Sequence, residues 1–135
     1  MIATTEPRTI GILNSTEDVV DLLTDLLEGE GYATRAAYIP DFKRGRGDLA
    51  TWLGALAPTA ILYDIPPPYD ANWAFYRRML ALPQARVHRF IITTTNKDIL
   101  EGLAGPTGAI EFIGRPFDLG EILDHVTQVL ADLGH

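Results

Sequence analysis

Residues 60–68 read Ala-Ile-Leu-Tyr-Asp-Ile-Pro-Pro-Pro, an apolar run that meets a carboxylate and then three consecutive prolines. A short apolar run bounded by turn-forming residues is typical of a buried strand, so we predict a strand over Ala60–Tyr63 that ends at Asp64. Proline has no backbone N–H and fits neither a helix interior nor a central strand. The prolines of residues 66–68 therefore predict a stiff loop directly after the acid.

Four more short apolar runs predict strands on either side of this one. They lie at Thr9–Leu13, Tyr32–Tyr38, Phe90–Thr93 and Ala109–Ile113. After each strand, apolar residues recur at the spacing of an amphipathic helix, which predicts five helices. The predicted helices hold, in chain order, Val19–Leu27, Leu49–Leu56, Trp73–Leu80, Asn96–Leu103 and Leu119–Leu133.

The first two helices carry local signals of their own. Ser15 with Asp18 three residues later resembles a capping box, which predicts that Ser15 caps the first helix. Leu49, Trp52, Leu53 and Leu56 form one stripe of a second helix, and the polar segment of residues 41–48 before it predicts a loop or a ragged helix start.

Strands that alternate with helices predict an α/β fold with a parallel, doubly wound sheet covered on both faces. We expect one domain over residues 9–135, preceded by a flexible lead-in of residues 1–8. In such folds the functional cleft lies at the carboxyl ends of the strands. The segments to inspect are therefore Asn14–Glu17, Asp64–Pro68, Thr93–Asn96 and Gly114–Phe117.

Composition narrows the class of function. The chain has 135 residues, 47% of them hydrophobic, and its net charge is −7 from 18 acids and 11 Lys and Arg. An acidic domain repels phosphate backbones, so we expect no nucleic-acid partner. There is no cysteine, no leader-like start and no run approaching the ~20 apolar residues of a membrane span. We expect no membrane partner and a cytoplasmic location.

The chain resembles the receiver domains of response regulators over residues 9–133. Asp64 with Pro68 four residues later matches the family's phospho-acceptor loop, and Thr93 or Thr94 matches the hydroxyl that ends its fourth strand. Arg115-Pro116-Phe117 is close to the family's Lys-Pro-Phe, and residues 72–82 resemble its third helix.

The resemblance implies a flavodoxin-like sheet of five strands in the order 2-1-3-4-5, flanked by five helices. In the family, the acceptor carboxylate takes a phosphoryl group, magnesium held mainly by acids neutralises the incoming charge, and the hydroxyl then binds phosphoryl oxygens. By resemblance, Asp64 is the candidate acceptor, and Thr93, Thr94 and Arg115 are candidates for phosphate binding and switching. A histidine kinase or an output protein would dock through Lys97–Leu133, and the same face would serve a homodimer.

The chain differs from the family pattern at charged positions of the site. An alignment anchored on Gly31 puts Asn14 and Ser15 where the family has two acids, so Asp64 is left as the charged metal ligand. We therefore expect weak magnesium binding at most and no other cofactor. Arg115 presents a planar fork that would hold a phosphoryl group or pair with Asp64, and both roles stay open.

Several single residues carry smaller expectations. The family context predicts a cis peptide bond between Arg115 and Pro116. Phe112 is either an aromatic switch or an ordinary half-buried strand residue. The histidines, at positions 88, 125 and 135, lack metal-ligand spacing and are predicted at the surface, whereas Trp52 and Trp73 are predicted to be core or half-buried packing residues.

Three functions compete at this stage. The leading hypothesis is a non-enzymatic, atypical receiver with a degenerate phosphorylation site, which binds proteins in two-component or phosphorelay signalling. The alternative is a receiver that accepts phosphate on Asp64. A further alternative is a flavodoxin-like protein that binds a nucleotide or flavin, with the loop Asn14–Asp18 as the phosphate site; it lacks the usual glycine.

Overall fold

The computed structural model of the chain describes residues 8–104 and 118–133 in full and the backbone of residues 111–114. The predictions for Arg115, Pro116, Phe117, His135 and the Phe112 side chain therefore lie outside the described residues, as does most of the predicted lead-in.

A parallel sheet forms the centre of the fold. Its strands are β1 (Thr9–Asn14), β2 (Ala33–Tyr38), β3 (Ala60–Ile65), β4 (Arg89–Thr94) and β5 (Glu111–Gly114). They pair in the order β2-β1-β3-β4-β5, and every neighbouring pair is parallel. β3 is buried at all of its positions, which explains its uninterrupted apolar sequence. The predicted α/β class with a parallel sheet is confirmed.

The prediction of five helices is wrong. The described residues form α1 (Glu17–Gly29), α2 (Ile39–Lys43), α3 (Leu49–Gly54), α4 (Tyr69–Leu80), α5 (Lys97–Ala104) and α6 (Leu119–Leu133), with a 3₁₀ turn at Pro83–Ala85. The extra helix arises between β2 and β3, where α2 occupies part of a predicted loop. Gly45, with φ of 75°, ends that helix by a turn that side chains with a Cβ rarely adopt. No helix in the described ranges has the length and apolarity needed to cross a membrane.

The predicted cap of the first helix is also wrong. α1 begins at Glu17, so Thr16 occupies the cap position, and its side chain makes no capping hydrogen bond. Asn14 does not cap the helix either: its Oδ1 accepts the backbone N–H groups of Ser15 at 2.7 Å and Thr16 at 3.0 Å, both in the turn that precedes α1. Ser15 itself is exposed.

Each face of the sheet has its own core. On one face, α1 and α6 pack through Leu23, Leu27 and Val126 onto Ile12 and Leu62. On the other face, α3, α4 and α5 pack onto the sheet, and their buried residues are Trp52, Leu53, Trp73, Tyr76, Met79 and Leu100. Trp52 and Trp73 are 8% and 7% exposed and are confirmed as core residues.

His88 is buried, and its predicted surface position is wrong. Only 5% of its surface is exposed. Its Nδ1 accepts the backbone N–H of Thr59 at 3.2 Å, and its Nε2 donates to the carbonyl of Leu53 at 2.8 Å. These two bonds require the neutral imidazole with its proton on Nε2. The side chain thereby fastens α3 to the starts of β3 and β4.

Candidate functional site

Asp64 lies at the carboxyl edge of the sheet, where the fold predicts the functional cleft. It is the penultimate residue of β3, one residue before the end of the strand, and is 3% exposed. The register of β3 with β4 pairs Asp64 with Thr93 and Ile65 with Thr94. Because parallel strands end at the same edge, this register brings both candidate hydroxyls to the acid's level.

The two threonines have different partners. Thr93 Oγ1 donates a hydrogen bond of 2.8 Å to Asp64 Oδ1, and both side chains are buried. Thr94 Oγ1 donates instead to the backbone carbonyl of Ile65 at 2.9 Å. A hydroxyl bond to a buried carboxylate is about twice as strong as a neutral one. Thr93 therefore contacts the candidate acceptor, whereas Thr94 binds the backbone at the end of β3.

The two positions predicted to be degenerate metal ligands, Asn14 and Ser15, differ in burial. β1 pairs with β3 through Leu13 and Tyr63, so Asn14 follows at the level of Asp64. Asn14 is 1% exposed, while Ser15 is exposed. The Asn14 oxygen is already bonded to the amides of Ser15 and Thr16, the N–H groups that a phosphate-binding loop would offer.

The described residues do not fit a resident magnesium ion. Magnesium prefers anionic oxygen ligands in octahedral geometry. Within residues 8–104 and 118–133, no three acids or histidines converge as a metal site. Glu17 and Asp18 are exposed in the first turn of α1, where acids favour the helix dipole. Weak magnesium binding at Asp64 stays a prediction.

The proline loop after Asp64 is fastened to its surroundings. Asn72 Nδ2 donates to the carbonyl of Pro66 at 2.7 Å, and Asn72 Oδ1 accepts from Lys43 Nζ. On the other side, the Tyr69 hydroxyl is hydrogen-bonded to Thr95 Oγ1. The Pro67–Pro68 bond is cis. These contacts agree with the predicted stiff loop and link it to α2 and β4.

An aromatic cluster lies in the core on the face of the sheet that α3, α4 and α5 cover. Tyr63 and Tyr76 lie with ring centroids 4.9 Å apart, and Phe90 contacts both edge-on. Burial raises the pKa of both tyrosines well above the ordinary value for a phenol, and the neighbouring Asp64 contributes to the shift at Tyr63. Both phenols are thus neutral and act as packing groups beside the carboxylate.

The predicted docking region, Lys97–Leu133, includes α5 and α6. Ile99 and Leu103 on α5 are 45% and 41% exposed, and they are two of the four large apolar side chains exposed among residues 8–104 and 118–133. Lys97 forms an ion pair with Glu101 one turn away, with 3.7 Å between nitrogen and oxygen. The face therefore combines apolar side chains with a polar rim.

Some site residues had no sequence signal. Lys43, Asn72 and Tyr69 hold the proline loop, yet Lys43 and Asn72 are far apart in the chain and match no motif. Their roles follow from the folding of α2 against α4, which sequence periodicity did not reveal. Arg115 lies outside the described residues, so its pairing with Asp64 stays a prediction, as does the cis bond before Pro116.

The chain is similar to known proteins in its structure but not detectably in its sequence. No family model matches the chain, and no curated protein matches its sequence. A solved structure described as a transiently phosphorylated "switch" in bacterial signal transduction is 17% identical, with a TM-score of 0.72, 97% of this chain and 100% of that chain covered. Chemotaxis protein CheY4 of Vibrio cholerae is 17% identical, with a TM-score of 0.66 and coverages of 91% and 98%.

A third similar structure is the signal receiver domain of an HD domain-containing protein from Pseudomonas fluorescens. It is 19% identical, with a TM-score of 0.70, and covers 99% of this chain and 94% of its own. The likeness extends over nearly the whole length of all three structures. The chain therefore has the receiver, or CheY-like, form of the flavodoxin-like fold.

Proposed function

We propose that the chain is an atypical receiver domain that acts in two-component signalling as a protein-interaction module rather than as an enzyme. The observation that carries this proposal is the 2.8 Å hydrogen bond from Thr93 to Asp64, at an edge where the uncharged Asn14 follows β1. The receiver fold supports the signalling class. The charge deficit supports the loss of ordinary phosphotransfer.

The physical argument rests on what Asp64 would need as a nucleophile. A phosphoryl donor brings negative charge to a buried carboxylate, and a bound divalent cation normally offsets the repulsion. Asn14 cannot supply the negative charge that would hold such a cation. Thr93 meanwhile stabilises the carboxylate by a charge-assisted hydrogen bond and reduces its nucleophilicity.

The interaction role is assigned to the face formed by α5 and α6. Its exposed apolar residues Ile99 and Leu103 lie on the helix that follows β4, and Thr93 is on β4. A kinase or an output protein that docks there would contact the helix that directly follows β4 in the chain.

The deciding experiment is intact-mass measurement after incubation with magnesium and an acyl phosphate, with Asp64→Asn as the matched control. We expect no mass gain in either protein. In the source cells, Asp64→Asn should keep the wild-type phenotype, and the double change Ile99→Asp with Leu103→Asp should reproduce the loss of the gene. A null phenotype for Asp64→Asn would count against a phosphate-independent role.

A phosphorylation-competent receiver is the second candidate, favoured by the same Thr93–Asp64 geometry. In this reaction a carboxylate oxygen of Asp64 would form a bond to the phosphorus of an acyl phosphate as the donor leaves as a carboxylate, and the Thr93 hydroxyl would then bind a phosphoryl oxygen instead of the free acid. This candidate predicts a gain of one phosphoryl mass in the wild type, absent from Asp64→Asn. Such a gain would replace the first proposal by this one.

A further inference from the structure

Charge is divided between the two layers of helices. α1 and α6, which cover one face of the sheet, contain eight acids and no Lys or Arg. On the other face, α4 carries Arg77 and Arg78 against one acid, Asp70, and the neighbouring α2 carries Asp41 and ends in Lys43, with Arg44 and Arg46 following it. The domain is therefore acidic on one side and basic around α2 and α4 on the other.

The basic side contains an apolar hollow between α2, α3 and α4, which we call the α2–α4 hollow. Its volume is about 280 Å³, and its lining includes Phe42, Leu49, Phe75, Arg78, Met79 and Leu82. Lys43 Nζ lies 5.1 Å and the Arg78 guanidinium 5.8 Å from the centroid of the Phe75 ring. The floor is thus apolar and the rim cationic.

One acid, Asp48, also lines the hollow, but its carboxylate is engaged in the cap of α3. Its Oδ1 accepts from the Ala50 amide and its Oδ2 from the Thr51 hydroxyl. Its charge therefore neutralises the cationic rim only in part. An occupant of the hollow needs an apolar group for the floor and acids for Lys43 and Arg78.

The opposite side of the same domain presents such a group. Leu22 on α1 is 44% exposed, and Asp18, Asp21 and Asp25 stand around it at helical spacings of four, one and three residues. All three acids are exposed, and no ion pair recorded among the described residues involves them. α1 therefore offers an apolar side chain inside an acidic ring.

We propose that α1 of one copy docks in the α2–α4 hollow of a second copy, with Leu22 on its floor and the α1 acids against Lys43 and Arg78. α1 and the hollow lie on opposite faces of the sheet, so the contact is heterologous. Each bound copy keeps its own hollow or its own α1 free, and the assembly grows head to tail rather than closing as a dimer.

Charge complementarity favours α1 of a second copy as the occupant of the α2–α4 hollow. An acidic helix meets a cationic rim, and the apolar area is small, which predicts weak association that rises with concentration. The net charge of −7 makes copies repel at long range. Measurement at ~0.15 M salt limits that repulsion to about 8 Å while leaving direct contacts intact.

The test is the mass of the full chain in solution, by sedimentation velocity and light scattering over a wide range of concentration. The wild type should grow beyond dimer mass. Leu22→Ser removes the apolar group, and Arg78→Glu reverses the rim, and each should weaken association by roughly tenfold or more. Both residues are exposed, so both variants should fold, which thermal unfolding checks. Val87→Ser and Arg86→Glu are the matched controls and should assemble like the wild type, because both residues lie outside the hollow and outside α1.

Mixing the two variants tests the heterologous geometry directly. Leu22→Ser retains an intact hollow, and Arg78→Glu retains an intact α1. Each alone should be monomeric, whereas the equimolar mixture should form a heterodimer that does not grow further. A wild type that remains monomeric, a mixture that remains monomeric, or equal losses in the two control variants would each overturn the proposal.

Discussion

Thr93 and Asp64 stand opposite each other on β4 and β3, and the hydroxyl of Thr93 donates to the Asp64 carboxylate at 2.8 Å. The pair is buried at the carboxyl edge of the sheet, with Asn14 following β1. In this arrangement the hydroxyl serves as the partner of the acid itself. The next two predictions test that relationship.

Thr93→Val should destabilise the fold by about 1–3 kcal/mol, because a buried carboxylate loses a hydrogen-bond donor while the side-chain shape is kept. The free energy of unfolding in urea measures the change. Thr127→Val, on the exposed part of α6, is the control and should stay within about 0.5 kcal/mol of the wild type. Equal stability of Thr93→Val and the wild type would show that the hydrogen bond contributes nothing.

Asn14→Asp should restore magnesium binding. The new carboxylate would still accept the amides of Ser15 and Thr16, and it would stand near Asp64 as a second charged ligand. We expect calorimetry to show at least ~10-fold tighter magnesium binding than in the wild type. Without metal, repulsion between two buried carboxylates should lower the stability, and magnesium should recover it.

Ser15→Asp is the matched control for that experiment, because it adds the same charge at an exposed position one residue later. It should change magnesium affinity much less. Comparable affinities for the two variants would mean that the end of β1 is not aligned on Asp64 as described.

The sequence predicted the parallel α/β class because its strands are short, uniformly apolar runs separated by turn residues. It placed Asp64 and Thr93 near strand ends, and strand register then put them in contact. Sequence alone left Thr93 and Thr94 equivalent. Their difference follows from which residue of β3 each one faces, a tertiary relation that periodicity does not contain.

Three sequence predictions were wrong: the residue that caps α1, the number of helices and the surface position of His88. Ser15 has the spacing of a capping residue, yet the helix begins only at Glu17, because Asn14 holds the amides of Ser15 and Thr16 in a turn before it. The sequence did not predict α2 because the helix is short and contains the polar residue Asp41. Its apolar contacts come from Ile39 and Phe42, on either side of that acid. His88 is polar by type, and only the folded chain shows the two backbone groups that it satisfies.

His88→Phe should cost about 2–4 kcal/mol, because the amide of Thr59 and the carbonyl of Leu53 would be buried without their partner. Thermal or urea unfolding measures the loss. His125→Phe is the control, since His125 is only half-buried on α6 and its nearest recorded acid, Glu121, lies 3.9 Å away. A similar small effect for both histidines would refute the structural role of His88.

Gly11 should not tolerate a side chain, because a Cβ there would lie 3.0 Å from Ile61 Cγ1 and 3.2 Å from Trp52 Cη2. Gly11→Ala should therefore destabilise the fold by about 1–3 kcal/mol through overpacking of the core beneath β1. Gly102→Ala is the matched control: its Cβ would meet nothing within 4 Å, and it lies inside α5. It should stabilise the fold by about 0.5–1 kcal/mol through helix propensity. If Gly11→Ala lowers the free energy of unfolding and Gly102→Ala raises it, the tight contact lies under β1. A stabilising Gly11→Ala would contradict the packing of Trp52 against that strand.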